Sequence, residues 1–126
     1  MLIVEDDDDI AESLASLLGS ESFEVAVAGD GLAAVEKART RGPDVILLDL
    51  MVPGLDGVSV AAALRQGRDA LARVPLILVS AGRHLEEAAF EVGTPYFLRK
   101  PFDIDELLDL IRLALAHPPS EAASLP

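Results

Sequence analysis

The sequence predicts an α/β fold in which five parallel strands form one sheet with helices on both faces. Three aliphatic runs, at residues 2 to 4, 45 to 48 and 76 to 79, are continuous, which is typical of central strands buried on both faces. Helical patterns lie between the strands, so strand and helix alternate five times. This alternation predicts a doubly wound, three-layer (βα)5 domain with right-handed crossovers.

Two weaker strand patterns are predicted at the edges of the sheet. Residues 23 to 27 alternate only in part, and residues 96 to 98 form a short run. With these strands at the edges, the order 2-1-3-4-5, the flavodoxin-like order, is favoured over a six-stranded dinucleotide fold. Ligands of such sheets bind outside the carboxyl ends of strands one and three.

The first and last helices are predicted to be amphipathic and to face the core. The first is expected to start at Asp9, which forms a capping-box pair with Glu12, and the last at Asp103, paired with Glu106. Apolar residues follow at helical spacing in both, and these are Ile10, Leu14, Leu17 and Leu18 in the first and Ile104, Leu107, Leu108, Ile111 and Leu115 in the last.

Three further helices are predicted at residues 31 to 41, 57 to 65 and 83 to 92. Gly42-Pro43 stops the first of these, and residues 93 to 95 (Gly-Thr-Pro) stop the third. Beyond residue 117 the tail has the composition of a linker and is predicted to be disordered. One domain over residues 1 to 117 is therefore expected.

Composition excludes several classes of protein. The absence of cysteine rules out a disulfide-rich secreted domain, and the acidic N-terminal segment lacks the basic region of a signal peptide, so a cytoplasmic location is expected. A formal net charge of −12, from 22 acidic and 10 basic residues, repels nucleic acid and anionic lipid. We therefore expect no direct nucleic-acid or membrane partner for this chain.

Polar side chains follow the predicted central strands and the last strand. Glu5 and Asp6 come after strand one, Asp49 after strand three, Ser80 after strand four and Lys100 after strand five. The carboxyl ends of parallel strands meet at one edge of the sheet, so these five residues are expected to converge there.

The chemistry of this set favours a magnesium-dependent phosphoryl site. Crowded carboxylates repel one another unless a cation neutralises them, and Mg²⁺ prefers carboxylate oxygens with several waters. Asp49 beside such a metal can attack a phosphoryl group and form an acyl phosphate, while Ser80 and Lys100 neutralise its oxygens. Taken singly, residues 5 to 9 also suit a solvated acidic loop, Ser80 a helix start and Lys100 a surface lysine.

The ordered set of motifs resembles the response-regulator receiver domains of two-component signalling. The matching segments are Val4-Glu5-Asp6-Asp7, Asp49 with the turn through Gly57, Ser80-Ala81, and Lys100-Pro101-Phe102, and the resemblance covers residues 1 to about 117. It implies that Asp49 is the phospho-acceptor, supplied by the histidine of a partner kinase, by a phosphotransfer protein or by a small acyl phosphate. Asp6, Asp49 and the Met51 carbonyl would bind Mg²⁺, with Glu5 acting mostly through a water.

The same resemblance implies how the domain would switch. Ser80 and Lys100 would contact the phosphoryl oxygens, a cis Lys100-Pro101 bond would aim the ammonium, and Phe97 would be the aromatic that turns inward. Tyr96 should point to the other face of the strand, and core packing is the alternative for Phe97. The domain would be a signalling switch that catalyses its own phosphotransfer and slow dephosphorylation, and not an enzyme with a separate substrate.

Departures from the family pattern limit what the resemblance implies about output. Ser80 and Lys100 are 20 positions apart, about two fewer than expected, so the fourth helix or its leading loop is expected to be short. In domains of the family that the chain resembles, the positions of Met51 and Gly82 gate the water that attacks the phosphoryl group. His84 and His117 are expected to be incidental surface residues. An effector of unknown identity and a weak homodimer through helix four, strand five and helix five are the other expected partners.

Three alternative functions are weighed against the receiver switch. One is a receiver-like interaction module that works without phosphorylation, which the short fourth helix favours. Another is an Asp-nucleophile phosphatase similar to haloacid dehalogenases, which Met51 disfavours because those enzymes place a second Asp there. A dinucleotide site is weaker still, because Gly29-Asp30-Gly31 follows the second strand and lacks the full glycine pattern.

Overall fold

A five-stranded parallel sheet forms the centre of the computed structural model, which describes residues 1 to 51, 56 to 65 and 73 to 117. The strand order is β2-β1-β3-β4-β5, with all pairs parallel. The strands are β1 (Leu2–Val4), β2 (Ala26–Ala28), β3 (Ile46–Asp49), β4 (Leu76–Ser80) and β5 (Phe97–Arg99). The helices are α1 (Asp8–Ser20), α2 (Gly31–Arg41), α3 (Gly57–Arg65), α4 (Leu85–Val92) and α5 (Ile104–Ala116). The predicted fold class and strand order are confirmed.

Helices cover both faces of the sheet, and the sheet divides the core into two apolar clusters. Alternate strand residues face each cluster, because successive side chains of a strand point to opposite faces. Val4, Leu48 and Leu78 pack with α2, α3 and α4, and Ile3 and Leu47 pack with α1 and α5. The central strands are therefore buried on both sides, which explains their unbroken aliphatic sequences.

Left-handed glycines end two of the helices. Gly42 closes α2 at φ 57° and Gly93 closes α4 at φ 86°, a region of backbone space that glycine enters without steric cost. Both predicted stops are confirmed.

Some predicted boundaries are wrong by a few residues. β2 begins at Ala26 and not at residue 23, because only residues 26 to 28 pair with β1, while Phe23 and Val25 pack against the core from the preceding loop. β5 is shifted by one residue to Phe97–Arg99, and α4 begins at Leu85 and not at residue 83. β3 is shifted by one residue to Ile46–Asp49, and β4 extends one residue further than predicted, so Asp49 and Ser80 are the last residues of their strands.

The start of α1 differs from the prediction in its cap and its buried face. Asp7, not Asp9, is the cap, since its Oδ1 accepts from the backbone N–H groups of Asp9 at 3.0 Å and Ile10 at 3.1 Å. The helix then packs through Ala11, Leu14 and Leu18. Ile10 and Leu17 flank that face and are 42% and 47% exposed, so their predicted core positions are wrong.

The last helix agrees more closely with its prediction. Glu106 accepts from the Asp103 N–H at 3.2 Å, as expected of a capping box. Leu107, Leu108 and Ile111 are buried, whereas Leu115 is exposed and Ala114 takes the buried position near the end of the helix. The predicted disordered tail, residues 118 to 126, lies outside the described residues.

None of the helices in the described ranges has the length and apolar character needed to cross a membrane.

Candidate functional site

Asp49 lies at the carboxyl end of β3 and is buried. Its Oδ1 accepts from the Met51 backbone N–H at 2.8 Å, and its Oδ2 accepts from Lys100 Nζ at 2.6 Å. Both carboxylate oxygens are therefore engaged, and the side chain is held at the edge of the sheet where ligands of this fold class bind.

Glu5 is a second buried carboxylate at the same edge. Its backbone N–H donates to the Ala28 carbonyl at 3.0 Å, which fixes it to the end of β2. Its Oε1 lies 3.5 Å from Lys100 Nζ, and its Oε2 accepts from the Asp6 N–H at 3.0 Å. Burial, together with the charge of Asp49, raises the pKa of Glu5 above its ordinary value.

Lys100 bridges the two carboxylates. Its backbone N–H donates to the Ser80 carbonyl at 3.0 Å, and the Lys100-Pro101 peptide bond is cis, as expected. Burial works against the charge of the ammonium, but the hydrogen bond to Asp49 and the attraction of both carboxylates outweigh it and raise the pKa of Lys100. A charged lysine thus lies against Asp49 and Glu5 and neutralises one of the two.

Ser80 ends β4 with its side chain buried beside the following loop. Its Oγ accepts from the Gly82 N–H at 2.9 Å. A Cβ atom added at Gly82 would lie 3.1 Å from this Oγ and 3.6 Å from Met51 Sδ. Of the two positions that the resemblance assigns to gating, Gly82 therefore contacts the hydroxyl, and the Met51 side chain lies beside Gly82.

A small cavity lies between α1 and this edge of the sheet. It has a volume of about 70 Å³, and its walls include Ile10, Leu14 and Phe102 together with Asp49 and Lys100. The apolar walls lower the local dielectric constant, which strengthens the attraction between Lys100 and Asp49.

The carboxylates partly match the predicted metal set. Asp49 and Glu5 converge, but the Asp6 side chain is exposed, and nowhere in the described ranges do three His, Cys, Asp or Glu side chains group around a point that a metal ion could occupy. Mg²⁺ usually binds through one or two carboxylates and keeps several waters, so Asp49 with the adjoining acidic loop fits this ion without a three-residue cage. The individual ligands Glu5, Asp6, Asp49 and Met51 stay a prediction.

The neighbouring aromatic residues Tyr96 and Phe97, at the start of β5, lie on opposite faces of the sheet. Tyr96, just before the strand, is buried against the cluster of α1 and α5, and its hydroxyl donates to the His117 carbonyl at 2.6 Å. Phe97 faces the other way and is 37% exposed, which excludes full core packing in this arrangement. His84 is exposed beside Glu87, at 3.2 Å, and His117 follows the end of α5.

Arg99 is a neighbour of the site that sequence reasoning missed. Its guanidinium donates to the Gly82 carbonyl at 2.5 Å and to both oxygens of Glu86 at 2.7 Å. Glu86 is 13 residues away in the chain, so no local spacing pattern revealed the pair. Its position immediately before Lys100 was the one available signal.

Comparisons with known proteins agree with this geometry. A family model described as the response regulator receiver domain matches residues 1 to 112. The chain is 39% identical over 117 residues to the sensory transduction protein RegX3 of Mycolicibacterium smegmatis, covering 91% of this chain and 50% of that protein. It is 35% identical to the DNA-binding response regulator MtrA of Mycolicibacterium paratuberculosis, covering 99% of this chain and 55% of that protein. The chain thus spans about half the length of these relatives.

Solved structures give the same result. A response regulator signal receiver domain from Bermanella marisrubri superposes with a TM-score of 0.80 at 35% identity, covering 88% of this chain and 92% of that one. The BeF3-activated receiver domain of Klebsiella pneumoniae RstA superposes with a TM-score of 0.78 at 30% identity, covering 90% and 96%. On the strand order, the residues at its carboxyl edge and these matches, the chain belongs to the response regulator receiver domain family.

Proposed function

We propose that this receiver domain accepts a phosphoryl group on Asp49 from a histidine kinase or phosphotransfer protein and switches conformation in response. The observation that carries the proposal is the buried Asp49 carboxylate, held 2.6 Å from Lys100 at the carboxyl edge of the sheet. A structural ion pair needs only these two groups. The additional presence of Ser80 and Glu5 at the same edge favours a phosphoryl site.

The transfer would be a displacement at phosphorus. An Asp49 oxygen attacks, and the bond from phosphorus to the donor histidine nitrogen breaks with its electron pair going to that nitrogen. The products are an acyl phosphate and a neutral imidazole, whose proton is on the other ring nitrogen. The Lys100 ammonium would neutralise the Asp49 carboxylate before transfer and a phosphoryl oxygen after it. Ser80 Oγ supplies a hydrogen bond to another oxygen of the same group.

A bound divalent cation would complete the charge balance. Asp6, Asp49 and the Met51 carbonyl would hold Mg²⁺. When bound, the ion would supply positive charge that balances the negative charge on the phosphoryl oxygens in the transition state. The role of Glu5 would be to orient that set, since its Oε2 already accepts from the Asp6 N–H.

Partners follow from the same proposal. Ile10 lines the cavity beside Asp49 and is exposed on α1, which offers a phosphodonor an apolar contact next to the acceptor. A relative is named a DNA-binding response regulator, and its remaining length lies outside the match. Because its net charge is −12, this chain would not contact DNA itself, and an additional domain of that kind would do so. The chain would act in the cytoplasm as a switch that signals to such a domain, and not as an enzyme. A weak homodimer through α4, β5 and α5 is part of the proposal.

Radiolabelled acetyl phosphate tests the proposal. With Mg²⁺ the wild-type chain should incorporate one label, and omission of Mg²⁺ or the substitution Asp49→Asn should abolish it. Asp56→Asn serves as the matched control, because Asp56 is an exposed acid whose partner is Ser59. Labelling that persists in Asp49→Asn would overturn the assignment of the acceptor.

The alternative of a phosphorylation-independent interaction module is motivated only by the short α4, which spans eight residues against 13 for α5. It predicts that beryllofluoride, a phosphoryl mimic, leaves amide spectra outside the immediate site unchanged. A mimic-dependent shift extending into α4 and β5 excludes it.

A further inference from the structure

Arg99 ties together three segments around the receiver site. It ends β5, immediately before Lys100, and is paired in register with Ser80 of β4. One side of its guanidinium donates to the Gly82 carbonyl, and the other holds the Glu86 carboxylate in the first turn of α4 with two bonds of 2.7 Å. Both bonds to Glu86 come from one nitrogen, Nη2, while Nη1 donates to the Gly82 carbonyl, so a single guanidinium joins the loop to α4.

Gly82 is held on both sides of its Cα atom. Its N–H donates to Ser80 Oγ, and its carbonyl accepts from Arg99. The hydroxyl that would contact a phosphoryl group is therefore connected through one residue, Gly82, to the strand that precedes Lys100. We name the unit formed by Arg99, Gly82 and Glu86 the Arg99 clamp.

We propose that Arg99 is a positioning residue which, through the Arg99 clamp, holds the β4–α4 loop and α4 in their resting place and opposes the shift of Ser80 toward a phosphoryl group. The inference rests on the proposed function, because it presupposes that Ser80 Oγ contacts a phosphoryl group on Asp49. A shift of Ser80 toward Asp49 that keeps its bond to the Gly82 N–H must move Gly82 as well, and the guanidinium, anchored on β5, resists that movement.

Two further observations agree with a formed clamp. The hydrogen bond from Arg99 lowers the pKa of Glu86 below its ordinary value, so the carboxylate stays charged at neutral pH. Arg99 and Phe97 share one face of β5 because they are two residues apart, and Glu86 and Phe90 share one side of α4 because they are four apart. Phe90 is 89% exposed, so a shift of α4 would change an apolar surface.

Titration of the full 126-residue chain with beryllofluoride at fixed Mg²⁺, followed by amide NMR, tests the clamp. Arg99→Ala should bind the mimic about two- to fivefold more tightly than wild type, the range of a partly exposed ion pair. The Gly82 amide of unliganded Arg99→Ala should also move toward its mimic-bound position, which a residue with only a packing role would not cause. Arg99→Lys, which keeps the charge but cannot form both contacts, should show most of the gain.

Matched variants separate the parts of the clamp. Arg112→Ala removes another exposed arginine, paired with Glu21 at 3.7 Å, and should leave mimic affinity unchanged. Glu86→Gln should give a smaller gain than Arg99→Ala, because the Gly82 contact remains. The double substitution Glu86→Arg with Arg99→Glu restores the charge pair but places a carboxylate against the Gly82 carbonyl, so affinity should stay raised.

The outcomes distinguish this inference from the proposed function. If wild type binds beryllofluoride and the folded Arg99→Ala and Arg99→Lys variants bind it no more tightly, the clamp is overturned and the receiver function is left intact. Return of the double variant to wild-type affinity overturns the role given to Gly82. A wild-type chain that neither binds the mimic nor accepts label contradicts the proposed function, and the clamp falls with it.

Discussion

At the scale of single residues, Lys100 supplies the positive charge that stabilises the buried carboxylates at the strand ends. It contacts both Asp49 and Glu5, which are buried, and no buried side-chain nitrogen or oxygen within the described residues lacks a hydrogen-bond partner. In our proposal, a phosphoryl group on Asp49 would replace the carboxylate oxygen as the partner of Lys100. The lysine serves the fold in the resting domain and, in our proposal, serves the chemistry during transfer.

Substitution of this lysine should make stability depend on pH. Lys100→Met leaves two buried carboxylates without a cation, and we expect a loss of about 2 kcal/mol at pH 7, less than the ~3–5 kcal/mol of a fully buried pair because Lys100 keeps contact with water. Burial and the charge of Asp49 raise the pKa of Glu5, and loss of the lysine removes a charge that lowers it. The folded state of Lys100→Met therefore binds a proton at Glu5 more readily than the unfolded chain, so stability should recover as pH falls.

Urea unfolding of Lys100→Met and wild type across mildly acidic to neutral pH measures this effect. Arg112→Met, at an exposed cation, is the control and should track wild type. Adding Asp49→Asn to Lys100→Met should restore most of the loss at neutral pH. A Lys100→Met chain whose deficit is the same at every pH would contradict this electrostatic account.

At the scale of elements, most of the fold was predictable from local patterns, and the errors lie where tertiary contacts override them. Continuous aliphatic runs located β1, β3 and β4, and the glycine stops located the ends of α2 and α4. The capping pattern of Asp9 was outweighed by Asp7, whose carboxylate reaches two backbone N–H groups. Ile10 and Leu17 fit the helical period but flank the buried face, whose position depends on how α1 lies on the sheet.

The end of α5 depends on a contact that no local pattern encodes. Tyr96, next to β5, donates its hydroxyl to the His117 carbonyl across 21 residues of chain. Tyr96→Phe keeps the packed ring and removes this bond, so we expect a loss of about 1 kcal/mol in global stability. Amide hydrogen exchange should rise selectively in the last turn of α5.

Exchange in the first turn of α5 provides the internal control, because the Glu106 cap does not involve Tyr96. Uniformly faster exchange along the helix, or none in its last turn, would contradict the anchoring role of Tyr96.

At the scale of the whole molecule, the parallel sheet explains why scattered residues could be placed together in advance. Five strands in one direction bring their carboxyl ends to one edge, so residues 5, 49, 80 and 100 were predictable as neighbours from sequence alone. Arg99 was not, because its partners come from a loop and a helix whose positions follow from packing. The exposed side chain of Asp6 was unpredictable for the same reason.

Metal binding should be visible as a change in global stability. Binding of Mg²⁺ to the folded state at a hundredfold excess over Kd adds about 2.7 kcal/mol, which for a domain of this size raises the thermal midpoint by roughly 10 °C. We expect that rise in calorimetry of the wild-type chain and a much smaller one in Asp6→Asn. Asp9→Asn, a neutralisation in the same acidic run, should keep most of it, and an equal response in all three chains would contradict a site at Asp6.

The measurement that tests the central claim most directly is identification of the phosphorylated residue. After reaction with acetyl phosphate and Mg²⁺, borohydride reduces an acyl phosphate to an alcohol and leaves free carboxylates intact, so the acceptor aspartate becomes homoserine. Peptide mass spectrometry should find homoserine at position 49 alone. Homoserine at another acidic residue, or at none while Mg²⁺ binds, would contradict the assignment of Asp49 as the phospho-acceptor.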